Sequence, residues 1–230
     1  MSILAINSAT TDTQIALITG QKVWFEKSWH ANRDEAEKLI PALRMALEKV
    51  GKAGMIEGIA VIAGPGSFTG LRVGVAIANA FAYSQKIPMY SWNVFEYLRH
   101  RLPAQILGKT VIVVRGGGAF LAVKLPDKKN TQQVLTENFT EWLMRQKNIK
   151  YIYADLPADE KKLLHRLMKK NKVKFSFIPA NRTKSFGKTI QTLLEENPKK
   201  QETIRPVYLQ PPNITQSKKQ VFVPQKTYTS

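Results

Sequence analysis

Apolar positions change period several times along the first half of the chain, and each change marks an element. Ile3-Leu4-Ala5-Ile6 is a short apolar run that reads as a strand. Gln14 to Thr19 and Lys22 to Trp29 flank Gly20-Gln21, a two-residue turn with glycine first, as a type II′ hairpin requires. The fold therefore opens on an antiparallel meander. Asn32 with Glu35 three residues on is a capping-box-like start, and Ala36, Leu39, Ile40, Leu43, Leu47 and Val50 then repeat at three and four. This predicts an amphipathic helix from Asp34 to Val50, bent at Pro41, where an interior proline removes a hydrogen bond.

Ile59 to Ala63 reads as a buried strand running into Gly64-Pro65-Gly66-Ser67-Phe68-Thr69-Gly70, with a helix rich in small residues from Thr69 to Tyr83. Pro88 to Trp92 predicts a strand and Val94 to Leu102 a helix, and Leu102-Pro103 marks a boundary. Beyond it come strands at Thr110 to Arg115 and Ala119 to Leu125 around Gly116-Gly117-Gly118, then helix Glu137 to Lys147, strand Tyr151 to Ala154, helix Asp159 to Lys170, strand Lys174 to Ile178 and helix Thr183 to Glu196. Alternating strand and helix gives an α/β class. The expected units are residues 1–103, residues 104–210, and an aperiodic, polar tail over 211–230 that reads as flexible.

In the small-residue helix, Gly70, Gly74, Ala78 and Ala82 fall at steps of four and form a smooth ridge, with Leu71, Val73, Ile77 and Phe81 beside it. A helix that is small or apolar almost all round must be covered on more than one side. One cover is its own sheet; the other is the helix from Asp34 to Val50, another subunit, or both. The expected subunit interface joins Glu35, Leu39, Leu43 and Leu47 to Gly70, Leu71, Val73, Gly74, Ile77, Ala78 and Phe81.

Composition fits this picture: 230 residues, 43% hydrophobic and 23% charged, can bury a core and exclude wholesale disorder. Lys and Arg number 35 against 17 acids, a net charge of +18 that attracts polyanions. The excess is uneven, +4 over residues 1–110 and +14 over residues 111–230. Arg145 to Lys188 alone carries 13 basic residues against Asp155, Asp159 and Glu160. Its lysines at 161, 162, 169, 170, 184 and 188 are the expected RNA contacts, the competing reading being a solvated face.

Several chemistries are missing from the pattern. There is no cysteine, which excludes disulfides, thiolate metal sites and a cysteine nucleophile, and fits a reducing, cytoplasmic setting. The start carries no basic leader, and no apolar stretch approaches the roughly 18 residues that cross a bilayer, so neither secretion nor a membrane is expected. The histidines at 30, 100 and 165 share no helical turn, and no metal site is expected. Gly64, Gly66 and Gly70 lack the Lys-Ser/Thr of a Walker loop and the spacing of GxGxxG, and Ser67 is not central to a G-x-S-x-G elbow. What remains is a weak anion-binding turn at Gly64, Gly66 and Ser67, with Ser67 equally suited to cap the helix.

The run Gly64-Pro65-Gly66-Ser67-Phe68-Thr69-Gly70-Leu71-Arg72-Val73-Gly74 resembles the signature of the TsaB (YeaZ) family, non-catalytic subunits of the machinery that makes threonylcarbamoyladenosine in tRNA. Ile3 to Thr10, Glu35 to Leu47 and Arg205 to Pro211 are similar to that family's opening strand, first helix and closing segment. The resemblance implies an actin-like ATPase fold (ASKHA; Hsp70, actin, sugar kinase) of two related α/β subdomains with mixed sheets. It implies a dimer, either with itself or with a TsaD-type catalytic homologue, joined by a TsaE-type ATPase and by tRNA, with no tightly bound cofactor and an adenine nucleotide at a subunit junction of the complex. The catalytic relative's paired histidines have no counterpart beside Glu35 and Glu37, and Asn7 stands where the family usually has Asp, so no catalytic residue is expected. The family's Asp-Ala-Arg-like segment appears as Val113-Val114-Arg115. Against this scaffold reading stand an actin-like-fold enzyme, either kinase or peptidase-like hydrolase, and a free-standing RNA-binding module. The second lacks the stacking aromatics such modules display.

Overall fold

The computed structural model describes residues 1–30, 34–53, 55–173 and 175–209. Strand β1 (Ser2–Asn7) is followed by β2 (Asp12–Thr19) and β3 (Lys22–His30), then helix α1 (Glu35–Leu47), a short α2 (Val50–Ala53), β4 (Ile56–Ile62), α3 (Phe68–Gln85), β5 (Met89–Trp92) and α4 (Val94–Arg101). After α5 (Ala104–Leu107) come β6 (Thr110–Gly117), β7 (Phe120–Lys124), β8 (Gln132–Leu135), α6 (Phe139–Met144), β9 (Tyr151–Asp155), α7 (Ala158–Lys170), β10 (Ser176–Phe177) and α8 (Phe186–Glu195).

The two five-stranded sheets share one topology. The first runs β3-β2-β1-β4-β5 and the second β8-β7-β6-β9-β10. In each, a three-strand antiparallel meander is followed by two strands parallel to its first member. β1 is central, and every residue of it is buried: Ile3 and Ala5 face one core, Leu4 and Ile6 the other. That two-sided burial is why its apolar run does not alternate. The hairpin at Gly20-Gln21 forms with Gly20 at φ +54°, which a side chain would resist.

Five layers result. α1 and α3 cover the outer face of the first sheet through Leu39, Ala42, Ala46, Val75 and Ala78. α4 and α8 fill the middle, where Phe95, Leu98, Phe186 and Ile190 meet Ile112, Val114 and Tyr153 of the second sheet. α6 and α7 cover the far face through Phe139, Leu143, Leu164 and Met168.

Several expectations are corrected. α1 contains Pro41 as expected but ends at Leu47 rather than Val50. Asn32 and Lys174 lie outside the described residues, as does 211–230. β8 was not foreseen, because Gln132-Gln133-Val134-Leu135 buries only Val134 fully and so carries no alternation. The helix expected over Glu137 to Lys147 is confined to α6, and that expected from Thr183 starts at Phe186, where Ser185 caps it by accepting from the Lys188 N–H. Residues past Ser185 also return to the first half. α8 packs on β2, β3 and α4. Gln201 exchanges backbone hydrogen bonds with Met89, both 2.9 Å, and the Val207 N–H donates to the Ala63 carbonyl at 2.7 Å. The first sheet is thus drawn from residues 2–92 and the second from residues 110–177, with α8 and the residues around 201–207 in contact with the first.

Candidate functional site

The glycine turn is a structural junction. Gly64, at φ +111°, gives its carbonyl to the Val94 N–H (2.7 Å), and a Cβ there would lie 2.4 Å from the Val207 carbonyl oxygen. Gly66 has no room for a side chain either, its Cβ position being 1.9 Å from the Ala9 carbonyl oxygen. The Ser67 N–H donates to that same Ala9 oxygen at 3.1 Å, and Ser67 Oγ accepts from the Gly70 N–H at 3.2 Å. Ser67 is thus the N-cap of α3. Of the expected anion turn, the Ser67 amide and hydroxyl are already committed within the chain.

The small-residue ridge faces inward, a correction to its expected place on the subunit surface. A Cβ on Gly70 would sit 2.3 Å from the Ser8 carbonyl oxygen, and one on Gly74 2.0 Å from Ser8 Oγ. Leu71, Ala78, Leu39, Leu43 and Glu35 are buried as well. Glu35 keeps one buried carboxylate oxygen without a hydrogen-bond partner among the described residues. What α1 and α3 present outward is a different strip. Ile40 (52% exposed) and Tyr83 (89%) are joined by exposed Ala76 and Ala80 and by half-buried Leu47, Val73, Ile77 and Phe81. Since α1 and α3 pack side by side on one sheet face, these form a shared outer surface. Periodicity found Ile40, Leu47, Val73, Ile77 and Phe81, taking Ile40 for part of the core-facing stripe, and missed Tyr83, which lies off the ridge.

The seam between the two sheets is polar. The Asn7 side chain, fully buried, donates to Thr10 Oγ1 (2.7 Å) and Gln14 Oε1 (2.9 Å) and accepts from the Ala9 N–H (3.0 Å). The Tyr97 hydroxyl donates to the same Gln14 oxygen at 2.6 Å. Burial keeps the Tyr97 and Tyr153 phenols neutral beyond their ordinary range. One turn further, Thr11 of the β1–β2 turn binds the Asp155 carboxylate at the end of β9 through its N–H (3.1 Å) and hydroxyl (2.6 Å). An amide and a hydroxyl on a tight turn are donors a phosphate could use; here they hold a carboxylate of the same chain.

Charged groups are dispersed. His30 lies 3.3 Å from Asp12 and His100 2.8 Å from Glu196, while His165 is on α7. No cluster of metal-binding side chains occurs among the described residues. Arg115 pairs with Glu160 at 3.0 Å. The basic run does not form one surface. Lys161, Lys162, Lys169 and Lys170 ride on α7 over the second sheet, whereas Lys184 and Lys188 accompany α8, Lys188 Nζ reaching the Gln21 carbonyl at 3.3 Å. No described helix is long and apolar enough to cross a membrane.

Known proteins resemble this chain over most of its length. The family model for TsaD, tRNA N6-adenosine threonylcarbamoyltransferase, matches residues 29–204. The tRNA threonylcarbamoyladenosine biosynthesis protein TsaB of Bacillus subtilis (strain 168) is 32% identical over 99 residues, 43% of each chain. The tRNA N6-adenosine threonylcarbamoyltransferase of Syntrophus aciditrophicus (strain SB) is 36% identical over 95 residues, 38% of this chain and 27% of that one. The matched segment thus spans less than half the length of these curated relatives. The structure of YeaZ from Pseudomonas aeruginosa superposes with a TM-score of 0.61 over 90% of this chain and 99% of its own, at 14% identity. That likeness, with the repeated mixed sheets, fixes the fold as the actin-like ATPase type.

Proposed function

The chain belongs to the TsaD family, on its TsaB/YeaZ branch, and from that membership we propose that it is a non-catalytic subunit of the machinery that places threonylcarbamoyl on adenosine in tRNA. It pairs through the outer strip of α1 and α3 with a TsaD-type catalytic homologue or with a second copy of itself. The observation that carries the pairing is that strip: Ile40, Ile77, Phe81 and Tyr83 give it apolar anchors, and Glu37, Arg44 and Arg72 line it with charge, the layout of a protein interface. Support for a role without chemistry comes from the seam, where Thr11 is engaged by Asp155 and Asn7 by Thr10 and Gln14. In the assembled complex a TsaE-type ATPase and tRNA complete the set, and an adenine nucleotide sits at a subunit junction.

Co-expression with the TsaD-type homologue from the same cell tests this. The wild type should co-purify with it, and the doubly substituted Ile40→Glu, Tyr83→Glu chain should not, with its melting temperature unchanged because both residues are solvent-facing. Retained pairing in the variant rules out the strip. A steady Mg²⁺-dependent ATP hydrolysis by the purified chain that a substitution in this chain abolishes rules out the non-catalytic role.

A further inference from the structure

The structure assembles on the outer face of α7 something absent from the sequence pattern, an aromatic platform inside the basic run. β10 brings Phe177 beside His165, and the two rings stack with centroids 4.0 Å apart and planes 21° from parallel. His165 Nδ1 donates to the Lys161 carbonyl at 2.8 Å, which fixes the ring while leaving the residue exposed. Lys162, Arg166 and Lys170 follow at steps of four, a ridge about 12 Å long, with Lys169 one turn beyond His165. None of Lys162, Arg166, Lys169 and Lys170 enters an ion pair among the described residues. Like charges four apart weaken a helix, and among the described residues no carboxylate forms an ion pair with this ridge. Flat stacking surface and unpaired cations together match unstacked nucleotides, whose bases stack on rings while their phosphates meet Lys and Arg.

We propose that this face binds single-stranded RNA, as in the loop of a hairpin, one base stacking on His165 and the neighbouring phosphates lying on Lys162, Arg166, Lys169 and Lys170. The identity of the RNA as tRNA rests on the function proposed above; the surface itself does not, and the isolated chain tests it without any partner. The probes are a fluorescein-labelled RNA hairpin with a seven-nucleotide loop and a blunt duplex of its stem, titrated by anisotropy across salt concentrations. The hairpin should bind more tightly than the duplex, with log affinity falling against log salt at a slope near −3 for four contacts at about 0.7 each. Changing the four cations to Gln should flatten that slope to below 1 in magnitude. His165→Ala should weaken hairpin binding about 5- to 100-fold, and His165→Phe should restore it. Melting curves confirm that each variant is folded. No hairpin binding by the wild type, equal affinity for duplex and hairpin, an unchanged slope in the quadruple variant, or full affinity in His165→Ala each overturns the proposal. Failure to co-purify with a catalytic homologue would instead count against the pairing and leave this result standing.

Discussion

Thr11 donates its backbone N–H and its hydroxyl to the carboxylate of Asp155, 144 residues away, and so ties the β1–β2 turn of one sheet to the end of β9 in the other. Asn7 at the end of β1 is sealed by local bonds to Thr10 and Gln14, whereas Asp155 at the end of β9 reaches across the seam. The polar seam is therefore a fastener between sheets that also share the apolar middle layer.

The fastener has a pH signature. Burial raises the Asp155 carboxyl above its ordinary 3.8, outweighing the Thr11 hydrogen bonds that lower it. As pH rises through 3.8 toward the higher folded-state value, the native protein holds more proton than the unfolded chain, so stability falls across that window and levels above it. Asp155→Asn abolishes the titration. Urea midpoints from pH 3.5 to 7.5 should therefore show wild-type stability declining relative to the variant as pH rises. A difference that is flat or grows with pH contradicts the assignment.

Asn7→Asp should destabilise by at least about 2 kcal/mol, because it removes two buried donors and sets a carboxylate against Gln14 Oε1. Turning the Gln14 amide to face the new carboxylate would take away the acceptor of the Tyr97 hydroxyl. Thermal melts at neutral pH measure this, and an unaltered midpoint would mean that the site rearranges around the charge.

Gly74→Leu should fail to fold rather than yield a stable monomer. The collision of a Cβ with Ser8 Oγ at 2.0 Å is with a side chain, so Gly74→Ala should lose several kcal/mol and regain part of it when combined with Ser8→Gly. Gly66→Ala meets backbone, the Ala9 carbonyl at 1.9 Å, and should find no such partner. Circular dichroism melts of the single and double variants decide; equal losses with and without Ser8→Gly would refute the steric account.

Much of this was legible in the residues. Continuous runs such as Ile3 to Ile6 and Ile59 to Ala63 gave the central strands, and Gly20-Gln21 gave the hairpin, because buried strands and tight turns leave local marks. Which side of α3 faces solvent was not legible. Gly70 and Gly74 suit a close approach by any neighbour, and only the fold places the Ser8 loop against them rather than a second subunit. Nor could spacing join His165 to Phe177, since the contact exists only once β10 pairs with β9 beside α7. The return of residues 186–209 to the first sheet left no mark for the same reason: its anchors are backbone pairs such as Met89 with Gln201.

Glu26 of β3 supplies a further anchor of that return. Its carboxylate accepts from the Ser185 hydroxyl at 3.1 Å and from the Phe186 and Gly187 N–H groups at 3.0 Å each, closing the start of α8 from a strand about 160 residues earlier. A carboxylate there satisfies orphan donors and meets the positive end of the helix. Glu26→Ala should cost about 1–2 kcal/mol, and Glu26→Gln less, since one oxygen still accepts while the charge is lost. The Glu26→Ala deficit should shrink in high salt, which screens the charge but leaves the neutral acceptor geometry alone. Urea denaturation at low and high ionic strength reads both effects. A Glu26→Ala variant as stable as wild type would mean that water caps α8 equally well, and that the apolar contacts of Phe186 and Ile190 alone hold it between the sheets.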